Sequence, residues 1–103
     1  MICIIWEYRV HPEKLDLFRT IYGPDGEWVK LFLPAPGYVE TVLLQIPQAA
    51  GNAFMTVDFW NSALEFQDFQ AKHGGRYIDL DGFCARLTIS EQFIGSFNLL
   101  SSF

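Results

Sequence analysis

Residues 53–60 read AFMTVDFW (Ala53–Trp60), and the fold turns on how this stretch is laid down. Eight residues rich in β-branched and aromatic types, closed off by Asn61-Ser62, read as a strand. A strand sends successive side chains to opposite faces. Phe54 and Trp60 therefore share one face, and Met55, Val57 and Phe59 share the other. Both faces are apolar, so both must be covered. Asp58, in the middle of the run, is the one carboxylate out of place.

Working back towards the start, residues 38–46 form a second strand between Gly37 and Pro47. Residues 47–52, PQAAGN, make a turn-rich loop. Residues 2–10, ICIIWEYRV, are a third such run. Ile2, Ile4, Trp6, Tyr8 and Val10 lie on one face; Cys3, Ile5, Glu7 and Arg9 lie on the other. Pro12 suits a first helical turn, and Leu15, Phe18, Ile21 and Tyr22 follow at helical spacing. Tyr22-Gly23-Pro24-Asp25-Gly26-Glu27-Trp28 interrupts that pattern. Gly23 can end a helix in the left-handed conformation, Pro24 blocks its continuation, and Asp25 caps a second helix carrying Trp28, Leu31 and Phe32. With Asp25 and Glu27 already supplying negative charge, this corner is not a phosphate loop.

Beyond residue 60, Ser62 and Glu65 have capping-box spacing, and Leu64, Phe66 and Phe69 form a helical stripe. His73-Gly74-Gly75 ends or bends that helix. Tyr77, Leu80, Cys84 and Leu87 then carry a helical pattern to about residue 88. A last strand over 91–98 puts Phe93 and Phe97 on one face and Ile94 on the other, and an apolar tail, 99–103, follows. The order βαββαβ predicts an α+β ferredoxin-like sandwich, an antiparallel sheet with helices on one face. Three strands are apolar on both sides, so the uncovered face would be a large exposed patch. The expected solution is a homodimer whose two sheets pack face to face as a dimeric α/β barrel.

Composition supports the same picture. Half of the 103 residues are hydrophobic, 17% are aromatic and only 18% are charged. The formal net charge of −5 and the scattered basic residues speak against a nucleic-acid partner. Cys3 and Cys84 lie far apart inside apolar elements and read as buried thiols. Met1 leads directly into a strand, with neither a charged leader nor a long apolar run. No membrane association is expected, and a cytoplasmic location is.

The strings YGPDGEWVKLF (22–32), PGY (36–38) with ET.LL (40–44), VDFW.S...F..F (57–69) and T.SEQFIGSF (88–97) resemble antibiotic biosynthesis monooxygenase-like domains of the dimeric α/β-barrel superfamily. The resemblance spans almost the whole chain and implies one such domain over 1–103, in an uncharacterised branch. Relatives of this kind include cofactor-independent oxygenases of aromatic polyketides, haem-degrading enzymes and small isomerases. The haem-degrading pattern is not met. Tyr8 stands at its asparagine place, Phe69 at its tryptophan place, and Tyr77-Ile78-Asp79-Leu80 where its histidine would fall, with His73 too early.

The resemblance implies oxidation of an aromatic, polyketide-like substrate with O2, without metal, flavin or other cofactor. Such chemistry asks for an apolar pocket, a base and donors for the resulting oxyanion. Asp58, if buried, has a raised pKa and can act as the base; near an edge it is solvated or pairs with Arg9. His73 is the other candidate base, with helix C-terminal capping as its rival role. Tyr8 can donate to an oxyanion or be core, and Arg9 can clamp an anion or pair with Glu7 of a neighbouring strand or subunit. Trp28 and Trp60 are candidate binding residues with core packing as the alternative, as is Phe69, while Tyr22 and Tyr77 flank the helix breaks and can gate an entrance. The alternatives are a non-catalytic dimer that binds a small apolar or aromatic ligand, and isomerase or cyclase chemistry in the same pocket. A base facing an enclosed cavity separates enzyme from binder.

Overall fold

The first strand, β1 (Ile2–Val10), runs down the middle of a four-stranded sheet in a computed structural model that describes residues 1–47 and 50–101. A short 3-10 turn, Pro12–Lys14, leads into α1 (Leu15–Tyr22) and, after the corner, α2 (Glu27–Phe32). Then come β2 (Tyr38–Gln45), β3 (Ala53–Trp60), the long helix α3 (Ala63–Cys84) and β4 (Thr88–Asn98). The strands lie in the order β2-β3-β1-β4 and every neighbouring pair is antiparallel. This is the expected α+β ferredoxin-like sandwich. Gln48 and Ala49 of the expected loop and Ser102 and Phe103 of the expected tail lie outside the described residues.

The core forms where the helices cover one sheet face. Val10 and Phe54 from the sheet meet Phe18, Trp60, Cys84 and Leu87, all fully buried. Asn52 closes one end of this layer: its Nδ2 donates to the Val10 carbonyl at 3.1 Å, while the Val10 N–H donates to the Asn52 carbonyl at 2.9 Å.

The corner between α1 and α2 is built differently from the expectation. Gly23 is extended (φ −81°, ψ −177°) rather than left-handed, and α2 is capped by Gly26 with no side-chain cap, so Asp25 does not cap it. The glycines are there for closeness. A Cβ on Gly23 would lie 2.6 Å from the Arg19 carbonyl oxygen, and one on Gly26 would strike the Ile21 carbonyl. The Ser62 cap is present: its hydroxyl accepts from the Glu65 N–H at 3.2 Å and donates to the Glu65 carboxylate at 3.0 Å. α3 is kinked at His73, whose backbone is non-helical (φ −125°, ψ 21°), so two helical segments meet there, the second ending at Cys84 rather than near 88. β4 correspondingly starts three residues earlier than expected.

Two irregularities reset which residues face the helices. Between Tyr38 and Glu40 in β2 the register slips by one residue, so Tyr38 and Thr41, an odd number apart, lie opposite Trp60 and Asp58 on the same face. In β4 a slip between Gly95 and Phe93 does the same. Phe93 pairs with Trp6 on the helix-covered face and Phe97 pairs with Cys3 on the open one, which corrects the expectation that the two phenylalanines share a face. Gly95 at the slip has φ +154°, and a Cβ there would come within 2.9 Å of the Phe97 ring.

The open face carries Ile5, Val42, Leu44, Met55, Val57, Phe59 and Phe97 by register. Leu44 and Phe97 are nearly half exposed. No helix among the described residues is long and apolar enough to cross a membrane.

Candidate active site

A cavity lies between the helix-covered face of the sheet, the α1–α2 corner and the second half of α3. It holds about 440 Å³ of empty space, part of it open to solvent. The sheet supplies Trp6 and Tyr8 from β1, Thr41 from β2, Thr56 and Asp58 from β3, and Glu91 from β4. The helices supply Tyr22, Trp28 and Phe32 from the corner, and Tyr77 and Asp81 from α3.

Alternation along β3 puts Asp58 on the same face as Phe54, Thr56 and Trp60, turned towards the helices. Thr41 Oγ1 donates to Asp58 Oδ1 at 2.7 Å, and the Tyr38 hydroxyl lies 2.8 Å from Thr41 Oγ1. A threonine hydroxyl has one proton. With it committed to Asp58, the Tyr38 phenol is the donor in the outer bond, and the relay runs Tyr38 to Thr41 to Asp58. Burial pushes the Asp58 carboxyl up to about 6, and the Thr41 bond opposes part of that rise. A carboxyl so placed is half-charged at mildly acidic pH and takes a proton readily near neutrality.

The walls are aromatic and in contact. Tyr8 meets Tyr22 at 5.0 Å between ring centroids, Tyr22 meets Trp28 at 6.0 Å, and Trp28 meets Tyr77 edge-on at 5.2 Å. Burial raises the phenols of Tyr8 and Tyr22 far above their ordinary value, so both stay neutral donors. Tyr77 is pushed up to about 12, by burial first and then by Asp81, Asp58 and Glu91. Trp28 Nε1 is buried beside the Tyr22 hydroxyl and the Cys84 thiol, both of which it can reach as a donor.

Of the residues singled out in the sequence, Asp58, Tyr8, Trp28, Tyr22 and Tyr77 come together around this cavity. Four do not line it. Trp60 is wholly buried beneath Phe32, Tyr38, Phe66 and Phe69, and Phe69 is buried in the same cluster. Both are core, because the first half of α3 packs directly on the sheet there and leaves no gap. His73 sits at the bend of α3 against the Phe69 ring, 5.4 Å away, outside the cavity. Arg9 is exposed on the open face, the opposite side of the sheet from Asp58, so the two cannot pair.

Thr41, Thr56, Trp6, Phe32, Asp81 and Glu91 complete the site without having been singled out. Trp6 and Thr56 were accessible by alternation from Tyr8 and Asp58, and Asp81 stands one helical turn beyond Tyr77. Thr41 was hidden by the slip in β2, whereas Glu91 follows by plain alternation from Phe93.

No protein-family model matches the chain, and no curated protein sequence matches it. Solved structures do. SnoaB, a cofactor-independent oxygenase from Streptomyces nogalater, is 18% identical, with 98% of this chain and 94% of that one covered and a TM-score of 0.70. A candidate antibiotic biosynthesis monooxygenase from Deinococcus radiodurans is 10% identical over 100% of this chain and 96% of that one, with a TM-score of 0.72. Another from Nitrosomonas europaea is 13% identical over 98% and 100%, with a TM-score of 0.70. The chain has the fold of these monooxygenase-like proteins. At such identities the likeness extends to architecture, and the chemistry rests on the cavity.

Proposed function

We propose that the chain is a single antibiotic biosynthesis monooxygenase-like domain that oxidises an aromatic, polyketide-like small molecule with O2, without metal or flavin, as a homodimer. The observation that carries this reading is Asp58: a base-strength carboxyl held by Thr41 in the wall of an aromatic cavity. The cofactor-independent oxygenase among the structural neighbours supports it by fold.

In the reaction, Asp58 takes a proton from an acidic CH2 flanked by aromatic or carbonyl groups. The substrate anion gives an electron to O2, and the radical pair joins as a C–O bond. The bound hydroperoxide then loses water, so that CH2 plus O2 becomes C=O plus H2O. The protein supplies a dry aromatic slot, the base, and neutral donors (the Tyr8, Tyr22 and Tyr77 hydroxyls and the Trp28 N–H) for the developing oxyanion. A role as a binder alone would leave the placement of Asp58 without purpose. Isomerisation would use the same proton transfer without oxygen. Two free, buried thiols fit a reducing cytoplasm.

The test is oxygen uptake with anthrone- and quinol-type compounds. Wild-type protein is expected to consume O2 with at least one of them, and Asp58→Asn to lose roughly 10²–10⁴-fold in kcat. Turnover of the same compound without O2 uptake would point to isomerisation. No turnover across a broad panel, with binding intact, would leave only the binder.

A further inference from the structure

The charge around the cavity is one-sided. Asp58, Asp81 and Glu91 line it, and none of the described lysines, arginines or histidines does. Of the nearby cations, Arg76 and Lys30 line a separate cleft with Glu27 and Asp79. Lys30 pairs with Glu27 at 3.5 Å, the Arg19 guanidinium lies 5.6 Å from the Phe54 ring centre, and Arg9 is on the far side of the sheet. Asp81 and Glu91 are exposed residues and stand at the mouth, one on α3 and one on β4. Tyr77, within reach of both charges, lies between this mouth and the Trp28 ring. Among the described residues no three carboxylate, thiol or imidazole groups converge to hold a metal ion. The negative charge is therefore set around an aromatic box rather than around an inorganic cation.

An aromatic face attracts a cation through its quadrupole, and a carboxylate at the rim adds to that attraction. Anions would meet repulsion from three carboxylates with nothing opposing them. We propose that the ligand of this cavity is a positively charged aromatic compound: a flat ring system seated among Trp6, Tyr8, Tyr22 and Trp28, bearing a protonated amine that rests on Tyr77 between Asp81 and Glu91. This rests on the reading of the cavity as the small-molecule site and deepens it. When Asp58 takes a proton from the substrate, the negative charge moves onto the ligand, which then faces the two carboxylates at the mouth. An ammonium on the same molecule offsets that repulsion. The Trp28 N–H, buried beside the Tyr22 hydroxyl, supplies a donor for an acceptor oxygen on the same ring system.

Three matched probes test this: 2-(aminomethyl)naphthalene, 2-(hydroxymethyl)naphthalene and 2-naphthoate, titrated at pH 7 by calorimetry and by quenching of indole fluorescence. The ammonium is expected to bind about tenfold tighter than the alcohol, and the carboxylate weakest of the three. Its advantage should shrink with added salt and fall to within about twofold in the Asp81→Asn, Glu91→Gln double variant, whose changes lie at exposed positions. Equal binding of amine and alcohol, or an advantage that survives the double variant, overturns the charge inference and leaves the aromatic-site reading standing. Tightest binding by the carboxylate also overturns it. Absence of binding by all three overturns both.

Discussion

Asp58 keeps a carboxyl among aromatic rings because β3 is central in the sheet and the helices leave a gap above it. In the unfolded chain it releases its proton near 3.8; in the folded protein it holds that proton to about pH 6. Between those values the folded state binds more protons. This group therefore favours folding at low pH, and its contribution is lost as pH rises through about 6, by up to about 3 kcal/mol. Asp58→Asn is expected to match wild type below pH 4 and to exceed it in stability above pH 6, as read by urea unfolding at pH 4 and pH 7.5. Equal stability at both would mean that the carboxyl is not desolvated. For catalysis the ionised form is the base, so kcat/KM should rise through about pH 6 and then level. Thr41→Val removes the bond that favours the carboxylate, and the midpoint should move upward. An unmoved midpoint would remove Asp58 from the rate-determining proton transfer.

At the scale of elements, periodic apolar segments were legible in the sequence, and places where the count of residues breaks were not. β3 begins and ends where its composition says, because both faces are apolar and Asn52 and Ser62 mark its flanks. The helix cap at Ser62 and the bend at His73 follow from local chemistry. The slips in β2 and β4 depend on pairing with a neighbour, and pairing is a property of two segments. Thr41 was therefore invisible as a site residue, while Asp58 and Tyr8 could be found. Trp60 and Phe69 have the residue types of a binding wall, but packing between α3 and the sheet assigns them to the core. The glycines of α3 and β4 should respond in opposite ways to alanine. Gly82 is helical with open space around it, so Gly82→Ala should stabilise by about 0.5–1 kcal/mol. Gly95→Ala should destabilise, because the left-handed backbone and the Phe97 ring both reject a methyl group. Thermal melts of the two variants check this. Two shifts of the same sign would contradict the assigned backbone at one of the sites.

Across the whole molecule the decisive feature is a sheet with one covered face and one bare one. Ile5, Val57, Phe59 and Phe97 form the centre of a patch of the kind that soluble monomers seldom leave in water. A second copy of the same face is self-complementary, which is the basis of the proposed homodimer. Val57→Asp would place a charge at the centre of that contact. Sedimentation at micromolar concentration is expected to find two chains for wild type and one for the variant, with the circular dichroism of the two alike. A wild-type particle of one chain at all concentrations would remove the homodimer from the proposal while leaving the cavity intact, since the cavity opens on the other side of the sheet.

The extra residue in β2 acts like a frame-shifting letter in a two-letter code. Val39 occupies a step with no counterpart on β3, and everything downstream on that strand is read in the phase it establishes. Were Val39 instead to pair opposite Phe59, with no residue skipped, inside would swap for outside from Glu40 onward. The hydroxyl that grips Asp58 would point to the open face, and Val42 and Leu44 would turn into the cavity. One unpaired residue thus keeps the cavity side and the bare side of the sheet in step.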